Sequence, residues 1–83
     1  MKQLDYDLKV VAVIKNFRKL LRVKQYTVAE ALNISVSYYS KIESGKKAMT
    51  SGQLKIIGKE LGISQFEILT SADGLVLNAN PNN

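Results

Sequence analysis

The sequence predicts an all-α protein, a compact set of five short helices followed by a short flexible carboxy-terminal tail. Three observations predict it. Apolar residues recur three and four positions apart in successive segments; Ser or Thr precedes Glu or Gln by three residues at candidate helix starts; and Gly or Asn stands where periodic segments stop.

The first helix is expected from residue 8. Asp5 or Asp7 caps it, and LKVVAVIKNFRKLLR follows with Val10, Ile14, Phe17 and Leu21 at helical spacing and Lys9, Lys15, Lys19 and Arg22 on the other face. Next comes QYTVAEALNISVSYYSKIE, residues 25–43, which reads as two helices joined by a tight turn. Val28 and Leu32 share one helix face, and Tyr39 and Ile42 share a face of the next. Between them Asn33 tolerates the left-handed backbone of a sharp turn, Ser35 caps the following helix, and Ala29 is small enough for close helix approach. Thr27 and Glu30 have capping-box spacing, which would start the helix at Val28. A start at Gln25 is preferred, because a helix of barely more than one turn could hardly bury both Val28 and Leu32.

After Glu43, the run Ser44-Gly45-Lys46-Lys47 breaks the pattern with a Gly at a C-terminal stop. A fourth helix follows Thr50, which pairs with Gln53 as a capping box; Leu54, Ile57 and Leu61 form its buried stripe and Gly62 ends it. Ser64 and Glu67 open a short fifth helix through Phe66, Ile68 and Leu69. Beyond Thr70 the helical signals stop. The organisation expected is an extension at residues 1–7, a domain at 8–70 and a tail at 71–83, the tail being either disordered or a dimer contact, with residues 74–77 able to form a strand there.

Eighty-three residues suffice for one small domain and not for a second, effector-binding one. Cys and His are both absent, which removes disulfides, thiolate or imidazole zinc sites and the commonest general base. No paired carboxylates or phosphate-cradling glycines cluster, so no enzyme, cofactor or metal is expected. Apolar runs such as VVAVI are far too short for a membrane span, and a cytoplasmic protein is expected. The net charge of +5 is concentrated: from Lys9 to Lys59 there are eleven Lys and Arg against Glu30 and Glu43. Such a basic body suits a polyanion, although scattered lysines also serve solubility alone.

An ordered set of residues from Ile14 to Leu69 resembles the Xre family of DNA-binding domains, typified by phage lambda repressor and Cro. It comprises Ile14, Phe17 and Arg18; Gln25, Val28-Ala29 and Leu32-Asn33-Ile34-Ser35; Ser40-Lys41-Ile42-Glu43 with Gly45-Lys46; and Leu54, Leu61-Gly62-Ile63-Ser64 and Leu69. The resemblance implies a lambda-repressor-like fold whose recognition helix, residues 36–43, enters the DNA major groove. The base-reading candidates it implies are Val36, Ser37, Ser40 and Lys41, which fall opposite Tyr39 and Ile42. Phosphate contacts are implied at Gln25, at a helix start, and at Lys46 and Lys47 in the following loop. Arg18 and Glu43 occupy positions that form a buried or half-buried ion pair in many family members. Tyr39 stands where a branched aliphatic is usual, so its hydroxyl must reach solvent or a polar partner. Met49 replaces a common Pro, Arg22 replaces a frequent Gly, and Gly58 is costly unless close packing compensates.

The function implied is a transcriptional regulator, a repressor that binds a palindromic double-stranded DNA operator as a homodimer. Ile63, Phe66, Ile68 and Leu69 offer more apolar surface than one short helix needs to dock. Phage-type repressor, restriction-modification controller and antitoxin fit the chain equally, and an antitoxin would need a toxin partner at the tail or at residues 1–7. A protein-interaction module that has lost DNA binding is a further alternative, disfavoured by the small polar residues and Lys41 on the recognition face.

Overall fold

The computed structural model describes residues 5–6 and 8–77. Five helices succeed one another, α1 (Leu8–Leu20), α2 (Gln25–Leu32), α3 (Val36–Glu43), α4 (Ser51–Leu61) and α5 (Gln65–Leu77), and two short strands, β1 (Asp5–Tyr6) and β2 (Met49–Thr50), flank the first three. The five-helix architecture matches the sequence-based expectation. The strands do not follow from helical periodicity. They pair antiparallel, with Asp5 opposite Thr50 and Tyr6 opposite Met49. Of the two residues expected to cap α1, Asp5 belongs to β1 and Asp7 lies outside the described residues.

Helices α1 to α4 end by one mechanism. In each, two amides just past the helix reach back to its last turn: Val23 to the Arg18 carbonyl (2.9 Å) and Arg22 to Lys19 (3.0 Å), Ile34 to Ala29 and Asn33 to Glu30 (both 3.0 Å). The same pair recurs as Lys46 to Lys41 (2.8 Å) with Gly45 to Ile42 (3.1 Å), and as Ile63 to Gly58 (2.9 Å) with Gly62 to Lys59 (3.3 Å). This closure requires a left-handed residue. It is met by Arg22 (φ 59°), Asn33 (φ 61°), Gly45 (φ 85°) and Gly62 (φ 73°). Arg22 therefore adopts the backbone that the family's frequent Gly would adopt more cheaply. It also shortens α1, which stops at Leu20 instead of running through Arg22, and leaves Leu21 exposed instead of on the buried face.

Helix starts follow their side chains. Ser35 Oγ accepts from the Tyr38 amide (3.0 Å), and Thr50 and Gln53 exchange both bonds of a capping box. Ser64 and Glu67 do the same ahead of α5, with the Glu67 amide donating to Ser64 Oγ (3.0 Å) and the Ser64 amide to Glu67 Oε1 (3.1 Å). α2 starts at Gln25 with Lys24 at the cap position and no side-chain cap bond, so Thr27 lies within the first turn.

α5 continues past Thr70 to Leu77, where the sequence signals had stopped and where residues 74–77 were candidates for a strand. Thr70 causes no break, because its hydroxyl donates to the Phe66 carbonyl one turn back (2.8 Å), and Ala72 is buried against the core. The rest of the expected tail, residues 78–83, lies outside the described residues.

Ile14, Val28, Tyr39, Ile42, Met49, Leu54, Ile57 and Ile68 are fully buried, so every helix contributes to one core. α2 packs on α3 and α4, and α5 packs along α1. Gly58 is the close-contact position of this core, since a Cβ there would come within 2.9 Å of the Ile63 carbonyl oxygen. Close packing thus offsets the cost of a helical Gly.

Candidate nucleic-acid interface

α3 is short, and its phase is set by what it buries. Tyr39, Ile42 and Glu43 face inward. At 100° per residue this leaves Ser37 and Lys41 pointing directly outward, with Ser40 on one flank and Tyr38 on the other. All four are exposed, as is Val36. Val36 lies toward α2, where it lines an open groove of about 610 Å³ with Tyr26, Glu30, Asn33 and Ser35.

The loop after α3 folds back onto the helix. The amides of Lys46 and Lys47 both donate to the Lys41 carbonyl, at 2.8 and 3.1 Å, so three lysines are drawn to one end of the exposed face. Lys47 Nζ stands 5.9 Å from the centre of the Tyr38 ring, within the range of a cation–π contact. Tyr38 and Tyr26 were not among the sequence candidates. Tyr38 was legible: the helical phase that buries Tyr39 places its neighbour at the edge of the outward face. Tyr26 became apparent only from the packing of α2 beside the start of α3.

Behind the face lies a buried polar cluster. Arg18 Nε donates to Glu43 Oε2 (2.6 Å) and Nη2 to Oε1 (3.0 Å), a two-pronged pair, while Nη1 donates to the Val23 carbonyl (2.7 Å). The pair joins α1 to the end of α3, as expected. Gln25 is drawn into the same cluster, its Nε2 donating to Glu43 Oε1 (3.0 Å). Because a carboxylate only accepts, this bond fixes which way round the amide lies, with its oxygen directed away from Glu43. α2 begins at this point with no side-chain cap bond and no acidic residue in its first turn, and a helix start of that kind favours negative charge.

The electrostatics follow from burial and pairing. Burial alone would push the Glu43 carboxyl up, but Arg18 first, then the nearby Tyr39 hydroxyl and Gln25, outweigh it and hold the carboxyl below the usual carboxylate range. The hydrogen bond to Glu43 in turn raises Arg18 further above its already high value. The Tyr39 hydroxyl reaches neither solvent nor a partner. It is fully buried and lacks a hydrogen bond of proper geometry, although it lies within the field of Glu43 and Arg18. Burial, and then the neighbouring carboxylate, push the phenol far above its ordinary value, so it stays neutral.

A short helix presenting small polar side chains and lysine on one face, held by a buried ion pair to the preceding helices, defines a helix-turn-helix DNA-binding domain. The helix-turn-helix family model HTH_3 matches residues 14–67, and the chain belongs to that family, the Xre or lambda-repressor-like group. It is a DNA-binding transcription regulator. Among solved structures it is similar to the restriction-modification controller protein C.Esp1396I, with 29% identity over 83% of this chain and 91% of that one and a TM-score of 0.75. It is also similar to the clp gene regulator ClgR from Corynebacterium glutamicum, with 31% identity over 88% of this chain and 96% of that one and a TM-score of 0.71. No curated protein sequence matches the chain. Among the described residues, no helix is long and apolar enough to cross a membrane.

Proposed function

We propose that this protein is a sequence-specific repressor that binds a palindromic operator as a homodimer and acts by excluding polymerase. Val36, Ser37, Ser40 and Lys41 read base edges, Gln25, Lys46 and Lys47 hold phosphates, and the Arg18–Glu43 pair sets the angle of the reading helix. The observation that carries this reading is the gathering of Lys41, Lys46 and Lys47 at one end of the exposed face of α3, through two bonds to the Lys41 carbonyl. Lys41 suits guanine O6 and N7, the serines bond several bases, and Val36 suits a thymine methyl.

The homodimer is supported by apolar surface remote from that face. Leu20 and Phe66 are 77% and 75% exposed, and Val13, Asn16, Phe17, Leu20 and Ser71 line a groove of about 150 Å³ between α1 and α5. A homodimer of this class reads half-sites one DNA turn, about 34 Å, apart. The similarity to C.Esp1396I and ClgR supports gene regulation without choosing between control of restriction-modification genes and another operon.

Selection of bound duplexes from a random pool tests the assignment. Lys41→Ala relaxes preference at one position of each half-site, whereas Lys46→Ala weakens all sites and lowers the salt slope by about 1. If both variants select the wild-type site with unchanged affinity, α3 is not the reading element. Gel filtration as a monomer together with footprints over a single half-site would remove the homodimer.

A further inference from the structure

We infer that the amino-terminal segment, β1 together with Leu8, positions the loop that carries Lys46 and Lys47 and thereby contributes to DNA affinity without touching DNA. The affinity part rests on the phosphate-binding reading of that loop. Three observations lead to it.

β1 pairs with β2, the strand that follows the loop immediately. β2 is itself fixed, because Met49 is fully buried in the core and Thr50 is the capping residue of α4. The segment therefore adds a second strand to an anchored one and brackets the far end of the loop. At the near end, Leu8 Cδ2 lies 2.8 Å from where a Cβ on Gly45 would stand. Leu8 is 65% exposed, so its contact with Gly45 is a lid over the backbone of the loop and not a part of the core. Gly45 is required by its φ of 85°, whereas the Leu8 methyl, at the end of an exposed and flexible side chain, marks how closely the lid rests on the loop.

The loop is also held by α3, through the two amide bonds to Lys41 and the stacking of Lys47 on Tyr38. A loop whose backbone is held in this way, with Lys47 stacked on Tyr38, is ordered before DNA arrives. The cost of ordering the loop backbone and the Lys47 side chain is then met on folding and not on binding.

The test uses two full-length variants. Leu8→Ala removes the lid while keeping a good helix former, and Tyr6→Pro disrupts the β1–β2 pairing. Amide hydrogen exchange is followed at Lys46 and Lys47, with Leu54 and Ile57 of α4 as internal controls, and affinity for a mixed-sequence DNA duplex is measured against salt. The expected result is faster exchange at the two loop amides, unchanged exchange in α4, and affinity lower by about threefold to tenfold. Unchanged loop exchange in both variants overturns the inference. So does faster exchange with unchanged affinity, if the Lys46→Ala, Lys47→Ala double variant does bind more weakly. A double variant with an unchanged salt slope would overturn the phosphate reading itself, leaving loop exchange to report whether the segment holds the loop.

Discussion

Arg18 and Glu43, on helices α1 and α3, meet through two parallel hydrogen bonds in a nearly solvent-free site, with only 9% and 2% of their side chains exposed. Burying two charges costs much of what their attraction returns, so the pair adds little net stability. Removing one partner is different, because it leaves the other charged, buried and unmatched.

Arg18→Ala and Glu43→Ala are accordingly each expected to destabilise the fold by about 3 kcal/mol. The double variant should lose less than the sum of the two by more than about 1 kcal/mol, as residues of one network do. Urea unfolding of the four proteins measures the cycle. Strict additivity would mean that the contact does not couple α1 to α3.

The same pair makes stability depend on acid. Glu43 titrates below its ordinary value of 4.5 in the folded chain, so near that pH the unfolded chain binds more protons and stability rises with pH. The contribution is complete above the ordinary value and disappears as pH falls through the lowered folded one. Thermal unfolding from neutral pH down through this range should show wild type losing its advantage over Glu43→Gln. Parallel profiles would remove Glu43 as the source.

Tyr39→Phe is expected to leave stability unchanged or to raise it by about 1 kcal/mol. The hydroxyl it deletes is buried without a hydrogen bond, and such a group costs more than it returns. A loss greater than about 1 kcal/mol on denaturant unfolding would show that the phenol is bonded to Glu43 in solution.

Arg22→Gly is expected to stabilise the protein by about 1 kcal/mol, since only Gly enters the left-handed region without a Cβ penalty. At φ 59°, Arg22 closes α1 as Asn33 and Gly62 close α2 and α4. A melting-temperature rise measures the gain, and a fall would mean that the Arg22 side chain makes up for its backbone.

Much of this architecture is legible in local chemistry. Ser35, Thr50 and Ser64 mark helix starts because a side-chain oxygen three residues from an unpaired amide bonds it wherever the helix lies. Asn33, Gly45 and Gly62 mark ends for a similarly local reason. The preference for starting α2 at Gln25 also agrees with the structure, although it required weighing burial against the Thr27–Glu30 spacing. Local reasoning failed where a long-range partner decided the outcome. α5 runs on through Ser71 and Ala72 because α1 covers that side, and no signal within the tail reports that cover.

The candidate interface divides in the same way. Ser37, Ser40 and Lys41 follow from the periodicity of α3 alone, since any phase that buries Tyr39 and Ile42 exposes them. By itself the sequence therefore determined the five helices, the ends of α2, α3 and α4 and the outward face of the reading helix, because these depend on bonds and spacings within a few residues. Only the tertiary structure decided that Gln25 turns its amide to Glu43, that the Tyr39 hydroxyl is left without a partner, and that the loop of Lys46 and Lys47 folds back onto Lys41, with Leu8 over Gly45 and Lys47 on Tyr38. Each of those depends on how elements far apart in the chain close on one another, and the free energies involved exist only once the core has formed.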